Sequence, residues 1–205
     1  MGANRNSAAR KAAGAVAILT FATLALQTTI NEGSALVAFA MLFRFFTIWS
    51  NFAAGVIMGL VAIGRRVPPW VQFALATALT QVGFVYHALL AADHHPVGLD
   101  WWTNLAFHTI IPVSVILWWL INSRGDGATW RTIPTAMIAP IIYTGFALIY
   151  GEISGFYPYF FLDLPQFGWI RVLLNIAGLS LFFMALGGVL LGLRALLNRS
   201  SSGSA

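Results

Sequence analysis

Six apolar stretches separated by short polar breaks govern what this chain can fold into: Ala12–Ile30, Phe45–Gly64, Trp70–Ala91, Trp102–Ile121, Ile133–Gly151 and Trp169–Leu197. Each is near or above the ~20 residues a helix needs to cross the hydrocarbon layer of a bilayer. Within that layer the backbone must satisfy its own polar groups, and for stretches of this length the helix does so. The expected fold is therefore all-α: a six-transmembrane-helix bundle over residues 12–197. A cytoplasmic N-terminal segment, 1–11, precedes it, and a flexible cytoplasmic tail, 198–205, follows. Only 8% of the residues are charged and 59% are hydrophobic, against roughly 25% charged in an ordinary soluble domain. The first run is too long for the apolar part of a signal peptide and lacks a convincing cleavage site, so it counts as a span.

An even number of spans puts both termini on one side, and the basic residues choose that side. Arg5, Arg10, Lys11, Arg65, Arg66, Arg124, Arg131, Arg194 and Arg199 fall together, whereas Arg44 and Arg171 fall opposite. The first group marks the cytoplasm, in the topology of an inner-membrane protein with both ends inside. The acidic residues Glu32, Asp93, Asp100, Glu152 and Asp163 lie at the outer ends, and Asp126 lies inside. The net charge of +5 thus reads as a topology signal, with no nucleic-acid partner. The apolar run 34–43 would make the second span too long, and we expect a re-entrant or interfacial segment there. Pro112 and Pro140 lie inside predicted spans and should kink them. No internal repeat is visible, which argues against a transporter built from duplicated halves.

Polar side chains within such spans are functional candidates, because an apolar surround makes them costly. Counting ~1.5 Å per residue up from the cytoplasmic anchors puts Thr47, His87 and His108 in the outer third of the layer. Asn51 and Asn104 lie one turn from Thr47 and His108 on the same helical faces. Glu152 and Asn175 reach comparable depths on the last two helices. A neutral imidazole in a low-dielectric site accepts a hydroxyl proton near neutral pH, which suits His108 as a general base. The bland alternative is a histidine donating to a neighbouring carbonyl. Thr47 has the same two readings: a nucleophile if a base is beside it, otherwise a hydroxyl bonded to its own helix. Ser50 is an equal hydroxyl on chemistry alone but lies on another face. Asn51, Tyr86 and Asn104 are candidate oxyanion donors.

Cysteine is absent, which removes disulfides, thiolate catalysis and cysteine-bound metals. His87, His94 and His95 with Asp93 and Asp100 could ligate zinc, but they lack fixed ligand spacing and read better as a solvated outer loop. His87 and His108 could serve as axial haem ligands, although nothing requires it. Lys11, the only lysine, lies outside the spans, so a retinal Schiff base within the membrane is excluded. No cofactor is expected. A non-catalytic lipid or small-molecule carrier using the same polar level is the other class of function.

Three strings carry a more specific signal: Arg44-Phe45-Phe46-Thr47, Asn104-Leu105-Ala106-Phe107-His108-Thr109-Ile110-Ile111-Pro112, and Tyr157-Pro158-Tyr159-Phe160-Phe161-Leu162-Asp163. In order and membrane depth they resemble regions of the androgen-induced protein family, which includes many bacterial six-helix proteins. The histidine-to-proline interval is one residue shorter here. Animal members are intramembrane threonine hydrolases that cleave fatty acid esters of hydroxy fatty acids. The resemblance implies Thr47 as nucleophile, His108 as its base, a lipid ester drawn from the surrounding membrane as substrate, and a bacterial inner-membrane location.

Overall fold

The computed structural model describes residues 2–31, 33–123 and 127–202. Glu32, Arg124, Asp126 and the end of the expected tail, 203–205, lie outside the described residues. The chain forms α1 (Gly2–Ile30), α2 (Ala35–Leu42), α3 (Phe46–Ala62) and α4 (Pro69–Val85), then α5 (Leu99–Leu105), α6 (Ile111–Asn122), α7 (Ile138–Ser154) and α8 (Leu164–Ser202), the last kinked at Gly168, whose φ of 69° and ψ of 165° are not helical. Among the described residues there is no strand. Five segments are long and apolar enough to cross a membrane, and the count is six if α2 and α3, a pair bent by 104°, form one span. The protein is an all-α polytopic membrane protein. α1 begins ahead of the expected boundary at residue 12, and α8 runs past residue 197 to Ser202.

The expected interfacial segment at 34–43 takes the form of α2, capped by Ser34, whose hydroxyl accepts from the Val37 amide. The sharp turn into α3 leaves the Phe43 and Arg44 carbonyls without a helical partner, and side chains supply donors there and at Met41. Arg44 Nε donates to the Met41 carbonyl at 2.9 Å. Trp49 Nε1 donates to that of Phe43 at 2.7 Å, and the Tyr143 hydroxyl to that of Arg44 at 2.7 Å. This triple tie fixes where α3 begins, and hence where Thr47 stands.

The proline kinks resolve differently from expectation. Pro140 does not break α7, because residues 130–137 are wound as a 3₁₀ turn and α7 begins at Ile138. That puts Pro140 in the first turn of α7, where its missing N–H costs little. Pro112 stands at the start of α6, just after a π-helical turn over Ala106–Ile110, where the Ile111 amide reaches back to the Ala106 carbonyl. A second π turn, Tyr86–Leu90, continues α4, with the Ala91 amide on the Tyr86 carbonyl at 2.8 Å. Single π turns inside α-helices are uncommon and concentrate at functional sites. Here one carries His108 and the other carries Tyr86 and His87.

α4 is the most enclosed of the spans and α8 the least. Along α8, Ile170, Leu174, Leu181 and Val189 are exposed apolar side chains that suit a lipid-facing surface. One glycine lets α4 approach the histidine-bearing π turn: a Cβ at Gly83 would stand 3.2 Å from the His108 carbonyl oxygen. Gly83→Val should therefore push the two helices apart and cost about 1–3 kcal/mol. Thermal unfolding in detergent checks this, and an unchanged midpoint would show that the close approach carries no packing energy.

Candidate functional site

The three motif strings, distant in sequence, meet at one end of the bundle. Thr47 is the second residue of α3, and its Oγ1 lies 3.4 Å from His108 Nε2. The other ring nitrogen, Nδ1, lies 3.0 Å from the Asn104 backbone carbonyl oxygen. A carbonyl only accepts, so Nδ1 carries the proton and Nε2 presents its lone pair to the threonine. A contact of 3.4 Å is long for a hydrogen bond, and such catalytic contacts commonly shorten when substrate binds. The arrangement is hydroxyl, imidazole, orienting acceptor, with a main-chain carbonyl in the third place.

The imidazole is held on its face as well as its edges. The Tyr86 ring stacks on it with centroids 3.8 Å apart and planes 20° off parallel. The Tyr86 hydroxyl accepts from Asn104 Nδ2 at 2.6 Å and lies 3.3 Å from His94 Nδ1. Asn51, fully buried, donates from one amide to the Thr47 carbonyl at 2.8 Å and the Phe107 carbonyl at 3.2 Å. Those carbonyls belong to the nucleophile candidate and to the residue before the histidine. Asn51 is thus a clamp between the two strings, and its donors are occupied.

The third string contributes Tyr159. It is buried, stacks on Phe161 and lies edge-on to Phe45. Its hydroxyl neighbours the Thr47 hydroxyl, the backbone amides of Phe46 and Thr47, and the Tyr143 hydroxyl. The two amides are the first of α3, whose N-cap Phe45 offers no side-chain acceptor; such N–H groups have no partner within the helix. Burial pushes the Tyr159 phenol above its ordinary pKa, which keeps it a neutral donor. Sequence reading gave Tyr159 no role, although the string containing it was singled out.

Two cavities meet at this point. One of about 570 Å³ is lined by Gln27, Arg44, His94, Asp100, Asn104 and His108 among others, so it carries polar groups of both signs. The other, about 140 Å³, runs between α4, α7 and α8 and is lined mainly by apolar side chains such as Val82, Ile141, Leu179 and Phe183. Thr47, Tyr86, Leu90 and Tyr159 line both. α7 and α8 make little contact with each other, and neither Gly145 nor Gly178 has a neighbour within Cβ reach. The second cavity therefore lies beside an open seam between helices that suits bilayer lipid.

The remaining polar candidates lie outside both cavities. His87 bonds Thr109 Oγ1 through Nε2 at 2.9 Å on an exposed face. Glu152, exposed, accepts from the Tyr157 hydroxyl at 2.7 Å, and Asn175 donates to the Phe161 carbonyl at 2.9 Å. These three tie down loops and helix ends. Ser50 is buried with its hydroxyl unpartnered and lines neither cavity. Among the described residues no group of three or more His, Asp or Glu side chains converges as a metal site. A haem held between His87 and His108 lacks a free pair of Nε2 atoms, since both are engaged.

No protein-family model, curated protein or solved structure matches the chain. Functional inference therefore rests on the geometry of Thr47 and its neighbours.

Proposed function

We propose that the protein is an intramembrane lipid ester hydrolase in which Thr47 is the nucleophile and His108 its base. The observation that carries this reading is the line from the Thr47 hydroxyl to His108 Nε2, and from Nδ1–H to the Asn104 carbonyl, at the junction of two cavities of which only one is lined by charged side chains. Threonine needs such a partner to become nucleophilic. The same two residues are the ones that the resemblance to the androgen-induced protein family implies.

In the first half-reaction Thr47 Oγ1 bonds to the ester carbonyl carbon while its proton passes to His108 Nε2. The carbonyl oxygen becomes an oxyanion facing the Phe46 and Thr47 amides and the Tyr159 hydroxyl. Main-chain donors at a helix start suit this task because the helix dipole adds positive potential there. Collapse breaks the ester C–O bond, and the leaving alcohol takes the proton from His108. In the second half-reaction water attacks the acyl-threonine, His108 takes the water proton and returns it to Thr47 Oγ1, and the carboxylic acid is released. Asn51, Tyr86 and Asn104, the donors expected from sequence, act instead by holding Thr47 and His108 in place. The narrow cavity receives an apolar chain through the seam between α7 and α8, and the wider cavity, with Arg44 and Asp100 in its wall, receives the rest of the substrate.

A fluorophosphonate with a long alkyl chain tests the chemistry. The expected result is a single adduct, located on Thr47 by mass spectrometry. A protein that neither forms the adduct nor turns over lipid esters would instead be a lipid-binding protein using the same cavities.

The basic-residue asymmetry supports an orientation with both termini in the cytoplasm and the site in the outer leaflet. Because the chain has no cysteine, single introduced cysteines report orientation directly. Val97→Cys, at a position 80% exposed near the site, should react with a membrane-impermeant maleimide in intact cells. Arg66→Cys, also at an exposed position, should react only after permeabilisation. The reverse pattern would invert the topology.

A further inference from the structure

A third cavity, of about 520 Å³, opens at the end of the bundle opposite Thr47, roughly 25 Å away along α3. Its walls are the α3–α4 turn, the first turn of α4 and the end of α6, and Arg65, Arg66, Gln72, Trp118, Asn122 and Ser123 line it. The turn is a fixed platform. α3 closes at Gly64, whose φ of 82° lets its own amide reach the Val61 carbonyl at 3.0 Å and the Arg65 amide reach the Leu60 carbonyl at 2.9 Å. Gln72 Nε2 donates to the Val67 carbonyl at 2.9 Å, and Arg10 Nε reaches across from α1 to the Ala62 carbonyl at 3.0 Å. The backbone on both sides of Arg65 and Arg66 is therefore held, while both side chains stand exposed in the cavity wall.

The lining offers donors and no opposing charge. No acidic side chain among the described residues lines the cavity beside the two arginines. Arg10 adds a third positive charge close by: a Cβ at Gly64 would stand 3.1 Å from its Cζ. Gln72 and Asn122 each donate one amide N–H, to the Val67 and Trp118 carbonyls, and a side-chain amide has a second to give. From this set we infer that the cavity binds a phosphate monoester, gripped by Arg65 and Arg66. A carboxylate has a single charge and two oxygens, which one guanidinium already meets. A phosphate monoester has three terminal oxygens and close to two negative charges near neutral pH, which call for two. The group is carried either by a lipid head in the adjacent leaflet or by a soluble phosphate, and the chemistry that recognises it is the same. The inference is independent of the hydrolase reading, because it uses none of the residues around Thr47.

Purified wild-type, Arg65→Gln, Arg66→Gln and doubly substituted proteins would be titrated in neutral detergent at low salt with glycerol phosphate, phosphatidic acid and phosphatidylcholine, and binding read as thermal stabilisation. Wild type should be stabilised by phosphatidic acid, by glycerol phosphate or by both. Stabilisation by phosphatidic acid alone identifies a lipid head as the source, and stabilisation by glycerol phosphate shows that a soluble phosphate suffices. Phosphatidylcholine, a diester with a cationic neighbour, should have no effect. Each single variant should weaken the apparent affinity about tenfold or more, the difference that charge-assisted hydrogen bonds make, and the double variant should lose binding. Because the substituted side chains are exposed, the unliganded proteins should unfold at the wild-type midpoint. Arg131→Gln, at an exposed position that lines no part of this cavity, serves as the control for loss of a positive charge and should bind as wild type does. No stabilisation by either phosphate monoester, equal stabilisation by phosphatidylcholine, or undiminished binding by the double variant would overturn the site. The same loss in Arg131→Gln as in the cavity variants would overturn it as well.

Discussion

Thr47→Ala and His108→Gln proteins will each lose ester hydrolysis and fluorophosphonate labelling by about 1,000-fold or more while keeping the wild-type unfolding midpoint to within a few degrees. The magnitude follows from removing a nucleophile or its base, groups that act as one unit, so the double variant should be scarcely worse than either single one. Stability should change little. Thr47 and His108 are both only partly buried, and the contact between them is 3.4 Å long. Glutamine in place of His108 keeps a polar side chain beside Thr47 but offers no basic nitrogen. Steady-state hydrolysis of long-chain esters in detergent, with labelling measured in parallel, checks the result. Activity retained in both variants would assign the chemistry to some other group.

The second large effect belongs to a residue that touches no substrate. Asn51→Leu will lower kcat by about 100-fold with a much smaller change in KM, as expected when reacting groups are displaced by a fraction of an ångström to an ångström. The physical cause is the clamp. One buried amide holds both the Thr47 and the Phe107 carbonyls, so its loss frees the start of α3 from the π turn that carries His108. Two hydrogen bonds inside a membrane bundle account for about 1–2 kcal/mol, and the unfolding midpoint should fall only modestly. Introduced into the Thr47→Ala background, Asn51→Leu should have no further effect on the residual rate. An additive loss there would mean that Asn51 acts on something other than the Thr47–His108 pair.

Particular residues show how far sequence pattern reached. Thr47 and His108 were legible because each is a polar group within an apolar span, and depth counting placed both at one level. Their partners were harder to assign. Asn51 and Asn104, expected as donors to substrate, donate instead to the Thr47 and Phe107 carbonyls and to Tyr86. His87, Glu152 and Asn175 share that end of the bundle without reaching either cavity, because sequence spacing gives height along a helix but not which way the helix faces.

The amino-acid sequence by itself determined the membrane class, the positions of the spans, the break before α3 and the polar level near one end. These follow from hydropathy and helix rise, both local along the chain. Tertiary structure alone decided that Tyr159 folds back beside Thr47, that His108 Nε2 faces the Thr47 hydroxyl, and that two cavities meet at the threonine. Those features depend on helix rotation, on two π turns that shift the faces presented after them, and on carbonyls at the α2–α3 bend satisfied from α3 and α7. Each is a contact between groups remote in sequence, and its energy exists only once the helices have packed.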